Sequence, residues 1–203
     1  MANAVNKPYG LRPVRSGTGS PYCGEAQLYH IPSTDTNAYF IGRPVTMLGT
    51  GDATGVPSVV IGAAGAAILG PIVGIHPVKP IAPSLAGTTL ALEDTFIPAT
   101  KTRDYYVMVA DDPDLVFMMQ QNSESLLAAQ IGLNANFEIA SPGNNAQYDA
   151  SAIDSSTAAT TATLNLKLLG TVQREDNPIG ASQFADWLVR INNHFFRGGT
   201  VGV

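Results

Sequence analysis

Formal charge is what this chain has least of. Lysine, arginine, aspartate and glutamate make up 13% of its 203 residues, against about 25% in soluble domains generally. A monomer wetted on every side has little reason for so neutral an exterior. Charge depletion is a property of buried interface cores, so the composition reads in one of two ways: as surface that neighbours cover, or as a Ser/Thr/Asn-rich solvated skin. The net charge of −5 and a pI near 5.0 leave no overall basic field, so nucleic acid is not an expected partner.

Cysteine and histidine are almost as scarce. Cys23 is the only cysteine, which excludes an intrachain disulfide and a disulfide-stapled secreted module. Its neighbours Tyr22 and Gly24 bring no histidine, so an idle thiol is expected rather than a nucleophile. His30, His76 and His194 each lack a second ligand-type residue at i+2 to i+4, and no metal or other cofactor is expected. Long apolar runs are missing too. Residues 53–78 carry no charged side chain, but Gly62, Gly65, Gly70, Pro71 and Gly74 interrupt them, whereas a spanning helix needs about 20 consecutive apolar residues. Val59-Val60-Ile61 and Ile72-Val73 read instead as short buried strands, and no membrane partner is expected. The opening Met-Ala-Asn-Ala-Val-Asn-Lys-Pro lacks the basic-then-apolar pattern of a secretory leader.

What is present is β-strand chemistry. The central stretch, residues 105–119, sets two apolar runs either side of Asp111-Asp112-Pro113-Asp114. Proline presets φ for a turn and aspartates bond their own backbone, so the pattern predicts a hairpin. Both runs are nearly all apolar and should be covered on both faces. Further strands are expected at 25–31, 39–48, 59–61, 68–76, 88–92, 132–139, 163–170 and 187–192. In the last, Trp187, Val189 and Ile191 share one face at period two, although 184–191 can also be drawn as a short helix. Residues 122–130 are the best helix candidate, with Ser123 to cap and Leu126, Leu127 and Gln130 at helical spacing, or else a loop. The glycines of 49–55 superficially resemble a phosphate cradle. A β-branched run follows them rather than a helix or a Gly-Lys-Ser/Thr, so a hairpin loop is expected.

Eight to ten short strands between Gly/Pro turns give a mostly β fold, an antiparallel β-barrel or sandwich with little helix. Residues 1–24 hold Pro8, Pro13 and Pro21, four glycines, and Lys7, Arg12 and Arg15 with no acid. They read as an extended N-terminal arm without a regular element, lying on another subunit or else fraying. Residues 25–196 are the β-rich body, with 140–162, rich in Ser, Thr and Asn, as an inserted loop or lobe. Residues 197–203 are a glycine-rich tail.

Catalytic chemistry is not legible. Asp111, Asp112 and Asp114 lack the spacing and terminal Glu of a calcium loop, and turn chemistry explains them. Glu93-Asp94 and Glu175-Asp176 are adjacent pairs that point to opposite faces of a strand. No serine lies near a histidine in sequence and Gly-x-Ser-x-Gly is absent, so no enzyme is expected; a hydrolase would need Asp111, Glu175 and His76 to be gathered by the fold. Trp187 with Phe184, Phe195 and Phe196 reads as core before binding cage. Arg190, His194 and Arg197 are a weak phosphate-contact group or the partners of an acidic neighbour.

Residues 6–15 (Asn-Lys-Pro-Tyr-Gly-Leu-Arg-Pro-Val-Arg), 29–33 (Tyr-His-Ile-Pro-Ser) and 40–45 (Phe-Ile-Gly-Arg-Pro-Val), with the closing Leu168-Leu169-Gly170, Asp176-Asn177 and Val189–His194, carry a likeness. The chain resembles tailed-bacteriophage capsid decoration (cement) proteins, small β-rich proteins bound outside the shell of major capsid subunits. The resemblance implies a structural virion protein, made in the host cytoplasm and placed on the outer surface of the phage head. There it bridges neighbouring major capsid subunits, its partners, and stabilises the shell against internal genome pressure. It implies a homo-oligomer, dimer or trimer, and capsid contacts from the arm at Lys7, Tyr9, Arg12 and Arg15, then Tyr22. The alternative is a tail- or fibre-associated virion protein that binds host surface glycans, which calls for exposed aromatic clusters.

Overall fold

The computed structural model describes residues 5–76, 96–140, 148–180, 184–199 and 202. Thirteen strands run in chain order through them: β1 (Arg12–Ser16), β2 (Gln27–Ile31), β3 (Tyr39–Phe40), β4 (Pro44–Gly51), β5 (Pro57–Ile61), β6 (Gly70–His76), β7 (Phe96–Ile97), β8 (Tyr105–Val109), β9 (Leu115–Gln120), β10 (Asn134–Glu138), β11 (Ala152–Ala159), β12 (Leu166–Thr171) and β13 (Asp186–Ile191). Barrel and layered sheet are both present. Strands β2, β5, β4, β6 and β8 close a barrel, and a six-stranded sheet in the order β1-β9-β13-β12-β10-β11 lies beside it. All pairings between named strands are antiparallel except β2 with β5, which meet in parallel at His30 and Ser58. A mostly β, largely antiparallel fold with almost no helix is thus what the chain adopts.

Each sheet has its own core. In the barrel, Tyr105, Val107 and Val109 of β8 point inward at period two to meet Tyr29, Ile31, Val45, Val59, Leu69 and Ile72. In the sheet, Trp187, Val189 and Ile191 share one face as their spacing requires, and pack with Leu11, Phe117, Phe137, Ile153, Leu166 and Leu168. The Trp187 indole N–H donates to Gln121 Oε1 at 2.7 Å, which lets the ring sit wholly buried with its one polar atom satisfied. The strand reading of this segment holds over the helical one. The 49–55 loop also turns as expected, joining β4 and β5 in a hairpin.

The central stretch does not form the expected hairpin. The turn itself is there: Asp112 accepts the Asp114 N–H on its carboxylate at 2.8 Å and the Leu115 N–H on its carbonyl at 3.2 Å. The strands either side of it never pair. Both edges of β8 are taken by β2 and β6, and both edges of β9 by β1 and β13. The Asp112 turn therefore carries the chain out of the barrel and into the sheet. The apolar character that suggested a hairpin instead marks two central strands, one in each sheet.

Three other expectations are corrected. Residues 12–16 of the expected arm form β1, an edge strand on β9, and Leu11 is 1% exposed in the sheet core. The prolines do not prevent this, because an edge strand tolerates a missing donor. Residues 122–130 take the loop alternative rather than the helix, with one 3-10 turn at Ala128–Gln130. The N–H groups of Gln121 and Asn122 bond instead to the carbonyls of Ala185 and Ile153, which commits this backbone to an extended path. In 140–162, the described residues from 148 onward are no lobe, because Ala152–Ala159 pairs with β10. Thr157 Oγ1 accepts the Asn136 N–H at 2.8 Å and donates to the Asp154 carbonyl at 2.7 Å, so hydroxyls stabilise a bulge in what composition presents as a loop. The expected strand at 88–92 lies outside the described residues.

The tail is likewise packed where it is described. Gly202 donates its N–H to Thr160 O at 2.9 Å, and a Cβ on Gly199 would stand 1.8 Å from Ala162 O. No helix among the described residues is long and apolar enough to cross a membrane.

Two glycines with left-handed backbones cross where the barrel meets the sheet. Gly10 (φ +72°) and Gly42 (φ +92°) lie backbone to backbone, such that a Cβ on Gly10 would come within 2.3 Å of Gly42 O. Leu11 N–H donates to Gly42 O at 2.9 Å, and Gly42 N–H to Ile72 O at 2.8 Å. Gly10→Ala meets both a left-handed backbone and a backbone clash, and should cost on the order of 2 kcal/mol or more. Gly19 (φ +100°) has open space around its Cβ position, so Gly19→Ala should cost only about 1 kcal/mol. Urea denaturation of the two variants checks the difference.

Candidate interaction surface

The glycine crossing builds the floor of a cleft. Strand β1 on one side and the β3–β4 corner with β6 on the other leave a cavity of about 420 Å³, lined by Tyr9, Leu11, Arg12, Pro13, Tyr22, Ile41, Gly42, Ile72, Val73 and Tyr148. Leu11 and Ile72 are buried at its base, while Tyr148 is 52% exposed at the rim. Three of the five residues expected to make contacts, Tyr9, Arg12 and Tyr22, are brought together here. Lys7 and Arg15 are not among the lining residues.

Each of the five is fixed by a local cause. Lys7 is exposed, and its backbone N–H donates to Gln120 Oε1 at 3.0 Å, while Gln120 Nε2 donates to Val5 O at 3.3 Å. One side-chain amide thus holds residues 5–7 against the end of β9. Tyr9 donates its phenol to Asp186 Oδ1 at 2.9 Å, and the other Asp186 oxygen accepts from Arg174 at 2.8 Å. Burial, then the Asp186 carboxylate, hold the Tyr9 phenol well above the usual tyrosine range. The Arg12 guanidinium lies 6.0 Å from the Tyr9 ring centroid, within cation–π reach. Arg15 pairs across β1 with Val116 and bridges back to Pro21. Tyr22 donates its phenol to Glu25 O at 3.0 Å and its N–H to Val14 O at 3.0 Å.

Behind the cleft lies a buried ion pair. Arg43 Nε stands 2.5 Å from Asp149 Oδ1, the side chains 4% and 0% exposed. Both charges sit out of reach of water, so each depends on the other for compensation. Burial pushes Asp149 up, against the pull of Arg43, and the same burial pushes Arg43 down. Such a pair adds little net stability, yet removing one member strands the other in a dry site, at a cost of about 3–5 kcal/mol. Asp149→Leu alone should therefore destabilise far more than Arg43→Met and Asp149→Leu together. A double-mutant cycle by thermal or urea denaturation reads the difference directly.

The other candidate residues are scattered or sealed. His76 pairs opposite Tyr106 near the start of β8, whereas Asp111 follows the end of that strand. Those two and exposed Glu175, in the loop after β12, do not make a hydrolase site. The fold does gather one serine and one histidine that sequence spacing could not reveal. His30 Nδ1 lies 2.9 Å from Ser58 Oγ, and its Nε2 lies 3.5 Å from Asp104 Oδ2. Their only sequence signal is that both sit on strands that become neighbours. Ser58 is 1% exposed, so no substrate carbonyl reaches its hydroxyl in this arrangement.

In the glycine-rich 49–55 loop, the Asp52 carboxylate accepts the N–H groups of Thr54 and Val56 at 2.8 and 2.9 Å, which puts an acid where a phosphate would have to sit. Asp114 receives both Arg190 and Arg197 at 2.5 Å, and His194 is buried, so that group faces its own acid. Glu93-Asp94 lies outside the described residues. Trp187 is core, while Phe195 and Phe196 stand 46% and 58% exposed in an edge-to-face pair. Among the described residues no cluster of three metal-ligating side chains occurs. Searches of protein-family models, curated proteins and solved structures find no match to this chain.

Four phenols share one device. Tyr9, Tyr29, Tyr39 and Tyr106 donate to Asp186, Asp111, Asp35 and Asp52 at 2.9, 2.6, 3.1 and 2.9 Å. Burial first, then the facing carboxylate, raises each of them, Tyr106 to about 12. A phenol whose folded value is raised contributes stability that is present below its unfolded value, about 10, and lost as pH climbs through the folded one. Alkaline titration followed by phenolate absorbance should show these four ionising late and together with loss of tertiary structure.

Proposed function

We propose that this chain is a structural virion protein, bound to the outside of a phage head, where it bridges neighbouring major capsid subunits and holds the shell against genome pressure. The observation that carries the reading is the cleft: an apolar floor, a tyrosine and arginine rim, and three of the residues that the family resemblance marks for contact. Tyrosine and arginine are enriched where interfaces derive their energy. The charge-poor exterior supports the same reading, since a surface meant to be covered loses less hydration when a neighbour arrives. The mechanism is passive and involves no catalysis. Each copy adds a modest interface, and repetition over a symmetric shell multiplies it. Self-association into a dimer or trimer belongs to the same reading.

The packing of β1 changes how the arm is to be tested. Removing residues 1–16 would take Leu11 and an edge strand from the sheet, so lost binding would report lost folding. Removal of residues 1–6 leaves both in place. That shorter truncation should stay folded by circular dichroism. The full chain should co-sediment with emptied heads and occur on intact particles in amounts comparable to the major shell protein; absence from heads, or a handful of copies at a tail, would overturn the proposal. The exposed Phe195–Phe196 pair is the feature that favours the tail-associated, glycan-binding alternative, and the same copy number separates the two.

A further inference from the structure

The arginines of this chain divide in a telling way. Arg43 faces Asp149, Arg174 faces Asp176 and Asp186, Arg190 and Arg197 share Asp114, and Arg103 lies over the Tyr105 ring. Arg12 and Arg15 form no ion pair among the described residues. Both lie on β1, in a stretch that holds no acid before Glu25, within a chain of net charge −5. Arg12 is exposed and lies at the cleft's rim, against the Tyr9 ring.

The other charged groups near the cleft are engaged within the chain. The Arg43–Asp149 pair lies buried behind Gly42, and Asp186 is held by Tyr9 and Arg174. Glu25 turns a carboxylate oxygen to the Cys23 N–H at 3.2 Å. What the opening presents is an apolar floor beside two arginines that form no ion pair among the described residues. A chain of net negative charge that keeps two arginines clear of its carboxylates is complementary to a negative partner. A cavity of about 420 Å³ takes a few side chains rather than a domain face, which fits a segment in extended conformation.

Resting on the reading of the cleft as the docking site, we propose that its occupant is an extended acidic segment of the shell subunit. One apolar side chain of that segment seats on Leu11, Ile72 and Val73, and its carboxylates run along Arg12 toward Arg15. Charge sets the register and the encounter rate, and the apolar anchor sets the residence time.

Overlapping peptides that tile the shell subunit of the same virion, probed with the full chain, test this. The peptides bound should be rich in Asp and Glu around an apolar residue, and binding should weaken as salt rises. Arg12→Glu should bind them about tenfold or more weakly, while Lys167→Glu, the same reversal on β12, should bind as the parent does. Both variants should match the parent in circular dichroism. Binding of neutral or basic peptides, unchanged binding by Arg12→Glu, or capture by intact heads with no peptide bound would each overturn the proposal. Acidic peptides bound through Arg12 while intact heads fail to capture the chain would uphold the chemistry of the cleft and overturn the head-binding reading instead.

Discussion

Everything in this molecule hangs on two glycine backbones that touch. Gly10 and Gly42 approach more closely than any side chain would allow, each in a conformation that other residues adopt only under strain. That contact lets Leu11 drop into the sheet core while the next residues run on as β1. The same corner gives Ile72 O its partner and places Arg43 against Asp149, beside which Asp149 N–H bonds Ile41 O at 2.9 Å. Barrel, sheet and the β10–β11 connection all meet there. The cleft is what remains open beside the junction, so its shape is fixed by the most constrained part of the chain rather than by a loop.

The low charge of the sequence acquires a structural meaning as well. Several of its few acids are engaged by other side chains of the same molecule. Asp35, Asp52, Asp111 and Asp186 take phenol hydrogens, Asp149 meets Arg43, and Asp114 collects two arginines. Asp35 also holds Lys101, whose ammonium lies 2.7 Å from Asp35 O and 2.6 Å from Asn37 O with its side chain fully buried. Burial opposes ionisation of Asp35, but the N–H groups of Asn37 and the Lys101 ammonium outweigh it and lower its pKa. A tyrosine can satisfy a carboxylate without bringing a second charge out of water, which keeps the cost of burial down. Much of the little charge the chain carries is thus paired or hydrogen-bonded within the molecule, at the surface in Asp114 and in the interior in Asp149.

The fold class was legible because strand periodicity is local: Trp187, Val189 and Ile191, or Tyr105, Val107 and Val109, announce a buried face by themselves. Pairing is not local. Asp111–Asp114 specifies the turn but not the pairing of its flanks, because no short-range signal says that both neighbouring strands already have two partners each. Residues 152–159 were hidden by composition, since serine and threonine that stabilise a bulge look the same in sequence as serine and threonine in a loop. The cleft was half visible. Tyr9, Arg12 and Tyr22 stood out in a stretch without acids, but its other wall comes from Ile41, Ile72 and Tyr148, which only the glycine crossing brings alongside. His30 and Ser58 lie 28 residues apart and met only when the barrel closed.

The placement of β1 also sets an order of events during synthesis. Strands β2 to β8 supply the whole barrel before residue 110, so that unit can close as soon as it leaves the ribosome. Strand β1 has its partner in β9, about a hundred residues downstream, and stays unpaired until β9 is made. Long-range pairing of this kind is slow, and an apolar strand left waiting is open to capture by other chains. Strand β1 therefore finds its seat only after the barrel strands that follow it in sequence, and the cleft it lines does not exist until β9 has paired with it.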